Sequence, residues 1–194
     1  MPSLIDGLTL AAAAPIDLQL HTTFIDGSWA AEELLDHLVA ERFELAAITD
    51  HDRTDTGSHV QRLAAARGFP LLAVTEMSST WNGDWTDVLC YGFDPDQNEL
   101  QALGEEIVCG QRENTAAVYA ELLRQGYQFP HQATVLAKSA GEVRAFFDIA
   151  ALLREHDYLA DDDALTIMEA AGFVWFTADL AAVVDAAHRS SAVC

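Results

Sequence analysis

Basic residues are scarce in this chain of 194 residues: Lys and Arg number 10 against 31 Asp and Glu, a formal charge of −21. So acidic a surface repels polyanions, because affinity for nucleic acid rests on Lys and Arg neutralising phosphates, and a long duplex is therefore not an expected partner. A small phosphorylated ligand stays compatible with this charge if bound cations reverse the field inside one pocket. Cysteine is equally sparse. Cys90, Cys109 and Cys194 are odd in number and form no CxxC pair, so neither a disulfide framework nor a zinc ribbon is expected. Long apolar runs are missing too, since none approaches the ~20 residues that cross a bilayer. No basic residue precedes Arg42, so the apolar stretch 8–14 lacks the positive flank of a secretory signal, and the cytoplasm is the expected location. What is present is ordinary globular material. Hydrophobic residues make up 51% of the chain, which suits one domain with a sizeable core and a small insertion.

Short apolar runs and amphipathic stretches alternate through the first ninety or so residues. Residues 16–20 read as a strand, and Ser28 as the cap of a helix reaching Arg42 that buries Leu34, Leu35, Leu38 and Val39. A second strand over 45–49, a helix over 58–67 ended by Gly68, and a third strand over 71–75 follow. Asn82-Gly83 predicts a two-residue hairpin between strands 77–81 and 85–93. Such alternation argues for parallel βαβ units. Beyond Asp94-Pro95 the pattern turns helical: 98–125, a loop over 128–141, then helices near 142–156, 162–171 and 177–187. Residues 190–194 read as the opening of a further strand. The expected organisation is thus 1–94 as one segment, 95–179 as a helical insertion and 180–194 as a returning segment.

Four polar clusters fall at or just beyond predicted strand ends, where the loops of β/α folds build active sites. Alternation puts Asp17, Gln19 and His21 on one face of the first strand. Asp26-Gly27-Ser28 lies in the loop behind it, Thr49-Asp50-His51-Asp52 closes the second strand, and Glu76 closes the third. Singly, each has an ordinary reading: Asp26-Gly27 is a common turn, His51 a hydrogen-bonded strand end, Glu76 a surface carboxylate. Together, carboxylates and imidazoles converging on one mouth need a cation to offset their burial and mutual repulsion. Metal binding is the reading that accounts for all four.

These motifs resemble those of the PHP (polymerase and histidinol phosphatase) family of metal-dependent phosphoesterases. Residues 17–21 with Asp26-Gly27-Ser28 are similar to its opening Asp-x-His-x-His strand and Ser-Asp-Gly loop; Ile48-Thr49-Asp50-His51-Asp52 is similar to its second motif. Glu76 stands at the position of its bridging glutamate, and Val88-Leu89-Cys90-Tyr91-Gly92 resembles the strand that follows. The likeness spans residues 15–94 and resumes at 181–194. It implies an α/β fold, a distorted seven-stranded β/α barrel that is incomplete at the C-terminus here and carries a helical insertion over its mouth. It further implies two or three divalent metals and metal-assisted hydrolysis of phosphate esters. By position, His21 would hold one metal, Glu76 would bridge two, and Asp26 with His51 would serve another, so that Glu76, His51 and Asp26 carry the catalysis. Asp17, Asp50 and Asp52 would orient imidazoles and shape loops.

The chain departs from that pattern where Gln19 and Asp87 replace two histidines. With both as oxygen ligands, the full metal set is Gln19, His21, Asp26, His51, Glu76 and Asp87, and preference moves toward manganese or magnesium, with zinc or iron still possible. The family's remaining ligands, a His-Pro turn and an Asp-x-His pair, have no counterpart up to Cys194. His131, His156 and His188 read as surface or helix-end residues, and His37 and His59 as helix surface. Arg53 is the candidate for touching phosphate, or else an exposed loop arginine. The expected activity is hydrolysis of small, nucleotide-like mono- or bisphosphates. A degenerate PHP module used for binding or regulation, and a metal-binding protein without hydrolytic chemistry, are the competing readings. Unpaired strand edges also predict homo-oligomers, and no membrane partner is expected.

Overall fold

The computed structural model describes residues 5, 7–137, 142–159 and 163–194. Two compact units emerge, one of residues 1–106 with 177–194 and one of 107–176.

The first unit opens on β1 (Ile16–Leu20), α1 (Ala31–Ala40), β2 (Leu45–Ile48), α2 (Gly57–Ala66) and β3 (Leu71–Trp81). β1, β2 and β3 are parallel neighbours, as the βαβ reading requires. Leu34, Leu35 and Leu38 of α1 and Val60 and Ala64 of α2 join Ala46, Ile48, Phe69 and Leu71 in one buried cluster. Both helices therefore cover the same face of the sheet, and each fully buried leucine contributes roughly 1.5–3 kcal/mol of transfer free energy. Two expectations about α1 fail. The helix starts at Ala31 with Ala30 as its cap and no side-chain cap bond, so Ser28 is not the cap. Val39 is 43% exposed, because one step past Leu38 turns it off the apolar stripe.

β3 continues well past Thr75. The two strands expected over 71–75 and 77–81 are one strand of 11 residues, and Glu76 lies in its middle instead of at its end. Asn82 (φ 53°) and Gly83 (φ 92°) then make the expected tight turn, both in the left-handed region that such hairpins require. β4 (Asp84–Tyr91) returns antiparallel to β3, with Glu76 opposite Leu89 and Ser78 opposite Asp87. Residues 177–179, expected to begin a helix, instead carry β5 (Ala178–Asp179), which pairs parallel with β3. Asp179 then caps α7 (Leu180–Arg189), accepting from the Ala181 and Ala182 amides at 2.9 and 3.2 Å. Val193 exchanges backbone hydrogen bonds with Tyr91 at 2.8 and 3.0 Å, so the end of the chain adds an antiparallel bridge to β4.

α3 (Leu100–Arg124) begins in the first unit and runs into the second. The second unit continues with α4 (Gln132–Val135), α5 (Phe146–Glu155) and α6 (Ala164–Ala170). α4 falls inside the stretch expected to be loop, whose residues 138–141 lie outside the described residues, as does Asp162 at the expected start of α6. The core of this unit is apolar: Val118, Leu122, Phe129, Leu136, Ile149, Leu152, Leu153 and Met168 are all buried together. Among the described residues, no helix is long and apolar enough to cross a membrane.

Candidate metal centre

The site grows from the ends of β1 and β2 and the middle of β3. β1 pairs with β2 through Ile16↔Leu45 and Asp17↔Ala46, but resumes at Leu20↔Ile48, so one extra residue bulges out of β1 between those points. The bulge breaks the strict alternation expected for Asp17, Gln19 and His21. Gln19 and His21 reach Glu76, whereas Asp17 accepts from the backbone amide of Gln19 at 3.2 Å and, among the described residues, bonds to no imidazole. The chain turns sharply after His21. A Cβ on Gly27 would stand 2.2 Å from the His21 carbonyl oxygen, so only glycine lets Asp26 swing back over that histidine. His51 lies just past β2, where a parallel bridge to Glu76 and the Asp52 amide donating to the Glu76 carbonyl at 2.8 Å extend the pairing.

The side chains converge on His21 and Glu76. His21 Nδ1 lies 2.7 Å from Asp26 Oδ1, and Nε2 lies 2.9 Å from Glu76 Oε2. The Gln19 amide donates to both Glu76 oxygens at 3.3 Å. His51 Nε2 stands 3.8 Å from Glu76 Oε2, and its Nδ1 stands 3.9 Å from Asp87 Oδ1. The rings of His21 and His51 meet edge to face with centroids 4.9 Å apart. Ligand atoms of His21, Asp26 and His51 lie within 4.8 Å of one another, as do those of His51, Glu76 and Asp87. All six residues expected as ligands are therefore gathered in one place.

The imidazoles and carboxylates of the cluster stabilise one another's charge. Hydrogen bonds to Asp26 and Glu76 raise the His21 pKa to about 10, against the opposing cost of burial. Burial pushes Glu76 and Asp26 upward, but the hydrogen bond and charge of His21, with the charge of His51, hold both carboxyls below their ordinary range. For Asp87 the balance is reversed: burial, aided by the negative charge of Glu76, raises it in spite of the charge of His51 and a hydrogen bond from Trp85. His51 Nδ1 is buried and has no hydrogen-bond partner among the described residues. An orphaned imidazole nitrogen 3.9 Å from a carboxylate is a gap that a cation between them would fill, and the mixed N and O donor set fits a divalent metal.

Two further carboxylates hold the frame. Asp50 is 2% exposed and accepts from the Thr22 amide and hydroxyl, both at 2.7 Å, which fixes the turn that carries Asp26. Burial raises its pKa in spite of those bonds. Asp52, with a left-handed φ of 53°, accepts from the Ser78 amide at 2.8 Å, and burial lifts its pKa to about 6. Thr22 and Gly104 were not singled out by sequence. Thr22 carries no motif, and Gly104 matters only because a Cβ there would stand 2.4 Å from the Asp52 carbonyl oxygen, a long-range contact that no spacing reveals. Arg53 is engaged elsewhere: its guanidinium donates to both Asp55 oxygens at 2.6 and 2.8 Å.

No family model matches the chain. Over 113 residues it is 33% identical to a 3′,5′-nucleoside bisphosphate phosphatase of Chromobacterium violaceum, a match covering 58% of this chain and 40% of that protein. Two solved structures share its fold with a TM-score of 0.75, each over 93% of this chain and 65% of the other. One is a protein from Bifidobacterium adolescentis assigned as a metal-dependent phosphoesterase, at 21% identity. The other is an amidohydrolase from Chromobacterium violaceum, at 24% identity, solved with bound sulfate and no metal. The chain thus spans less than two thirds of the length of each of these proteins.

Proposed function

We propose that this chain, which resembles the PHP-type metal-dependent phosphoesterases in fold and in its site motifs, is part of an enzyme that hydrolyses small nucleotide-like phosphate esters with divalent metals. The observation that carries this reading is the convergence of His21, Asp26, His51, Glu76 and Asp87 into two overlapping donor groups that share His51. The likeness to a nucleoside bisphosphate phosphatase over 113 residues of the chain supports the substrate class.

Divalent cations, once bound, neutralise phosphoryl oxygens and activate water for in-line attack. The residues supply everything around that chemistry. His21, Asp26 and His51 would hold one cation, and His51, Glu76 and Asp87 the other, with Glu76 Oε2 lying close enough to both histidines to serve either. Loading requires His21 to give up the proton that Asp26 and Glu76 now stabilise. Gln19 presents its amide nitrogen to Glu76, so a half-turn about its last torsion brings its oxygen inward as a ligand. With oxygen from Gln19 and Asp87, manganese or magnesium is the expected metal over zinc. Arg53 must leave Asp55 before it can take a phosphate oxygen.

The same Gln19 contact favours the second reading, a degenerate module, because an amide that keeps donating to Glu76 competes with a cation for that carboxylate. We also expect self-association through β1, which stands at the end of the strand order β1-β2-β3-β4. The deciding experiment is phosphate release from a nucleoside 3′,5′-bisphosphate by the protein with added manganese, magnesium or zinc. Release that needs manganese or magnesium and vanishes in Glu76→Gln supports the enzyme. Tight metal binding without release favours the module.

A further inference from the structure

Three free cysteines are scattered in sequence, yet two of them meet. Cys90 of β4 is completely buried and Cys194 is exposed, and their sulfur atoms lie 3.5 Å apart. The backbone explains the meeting. Tyr91 and Val193 exchange both backbone hydrogen bonds, an antiparallel hydrogen-bonded pair, and this register sets the next pair outward as Cys90 opposite Cys194. Residues flanking a hydrogen-bonded pair form a non-hydrogen-bonded one, whose Cα atoms lie about 4.5 Å apart with the side chains leaning together. That separation is at the short end of what a disulfide spans.

We propose that Cys90 and Cys194 form a reversible cross-strand disulfide site that fastens residues 193–194 to β4. The accessible thiol of Cys194, as thiolate, attacks a low-molecular-weight disulfide such as oxidised glutathione, giving a mixed disulfide and releasing one glutathione thiolate. Cys90 then displaces the second glutathione, its proton passing to a released thiolate. Two protein thiols are oxidised to one disulfide, and one glutathione disulfide is reduced to two thiols. The order follows from access: burial and the neighbouring Cys194 hold the Cys90 thiol far above the ordinary range, so it resolves the mixed disulfide rather than starting the exchange. The bond would close a loop of more than a hundred residues, the size at which cross-linking restricts the unfolded chain most. Cys109, exposed on α3, is the built-in control.

The experiment treats the whole chain with oxidised glutathione, traps remaining thiols with an alkylating agent, and maps the peptides by mass spectrometry with and without reductant. The expected product is an intramolecular Cys90–Cys194 peptide pair, unchanged in Cys109→Ser and absent in Cys194→Ser. Cys194 is exposed, so its substitution leaves the fold intact, as far-ultraviolet circular dichroism would verify. In Cys109→Ser, the oxidised form should melt at least about 5 °C above the reduced form, the shift expected for a loop of this size. Glutathione retained on Cys194 with Cys90 still alkylatable, or linkage of two copies through Cys194, would overturn the proposal.

Discussion

Both compact units have an apolar core, but only one adds buried charged side chains to it. In the unit of residues 107–176, the buried side chains are Leu, Ile, Val, Phe, Met and Ala, and among the described residues only Thr115 adds a buried polar one. The other unit buries Thr22, Asp50, Asp52, Thr75, Glu76 and Ser78 around its sheet. Burying carboxylates costs stability unless they are paired, and here the pairing is provided by two imidazoles, one glutamine amide and the Thr22 and Ser78 donors. An apolar core stabilises by volume and tolerates little loss of it, whereas this polar cluster gives up stability to hold donor atoms in place.

That contrast can be broken by mutation. Glu76→Gln keeps size while removing the charge that holds His21 and faces both histidines, so phosphatase turnover should fall by several orders of magnitude with the circular dichroism spectrum unchanged. Near-normal turnover by this variant would refute the shared role of Glu76. Leu152→Ala, in the fully buried heart of the apolar unit, should cost about 2–5 kcal/mol by denaturant titration while metal affinity stays within twofold. If metal affinity fell with it, the two units could not be treated as separate in kind. Asp50→Asn keeps one acceptor for Thr22 but loses the charge-assisted pair; a loss of about 1–3 kcal/mol is expected, together with weaker metal binding because the Asp26 turn loosens. Arg53→Ala should leave stability nearly untouched, since its exposed pair with Asp55 contributes about 0–1 kcal/mol, and should raise KM alone if the guanidinium reaches phosphate.

What could be read from sequence was local. Asn82-Gly83 fixed its own turn through the φ values that those residues tolerate, and the candidate ligands Gln19, His21 and Asp26 stand at short spacings that need no tertiary knowledge. Long-range register was not legible. Nothing in residues 16–21 announces the bulge that separates Asp17 from Gln19 and His21, because a bulge is decided by the partner strand. β3 looked like two strands, since Glu76, a charge expected to end one, is in fact tolerated mid-strand by His21 and Gln19 arriving from elsewhere. Ser28 has the right chemistry for a cap, but the turn that places Asp26 delays the helix to Ala31. Cys90 and Cys194 meet only because Tyr91 and Val193 pair.

Calorimetric titration of the chain with manganese in two buffers of different protonation enthalpy tests the proposed metal centre most directly. In the metal-free fold, His21 titrates at about 10, above its ordinary value of 6.5. Its contribution is therefore present in full below pH 6.5 and is lost as pH rises through about 10. At pH 8 a cation held by a ring nitrogen of His21 would displace that proton, so binding should release close to one proton per protein and tighten as pH rises toward 10. The account predicts saturable manganese binding with that proton release, abolished in His51→Ala because both donor groups contain His51. Binding that releases no proton, or that survives intact in His51→Ala, would contradict it.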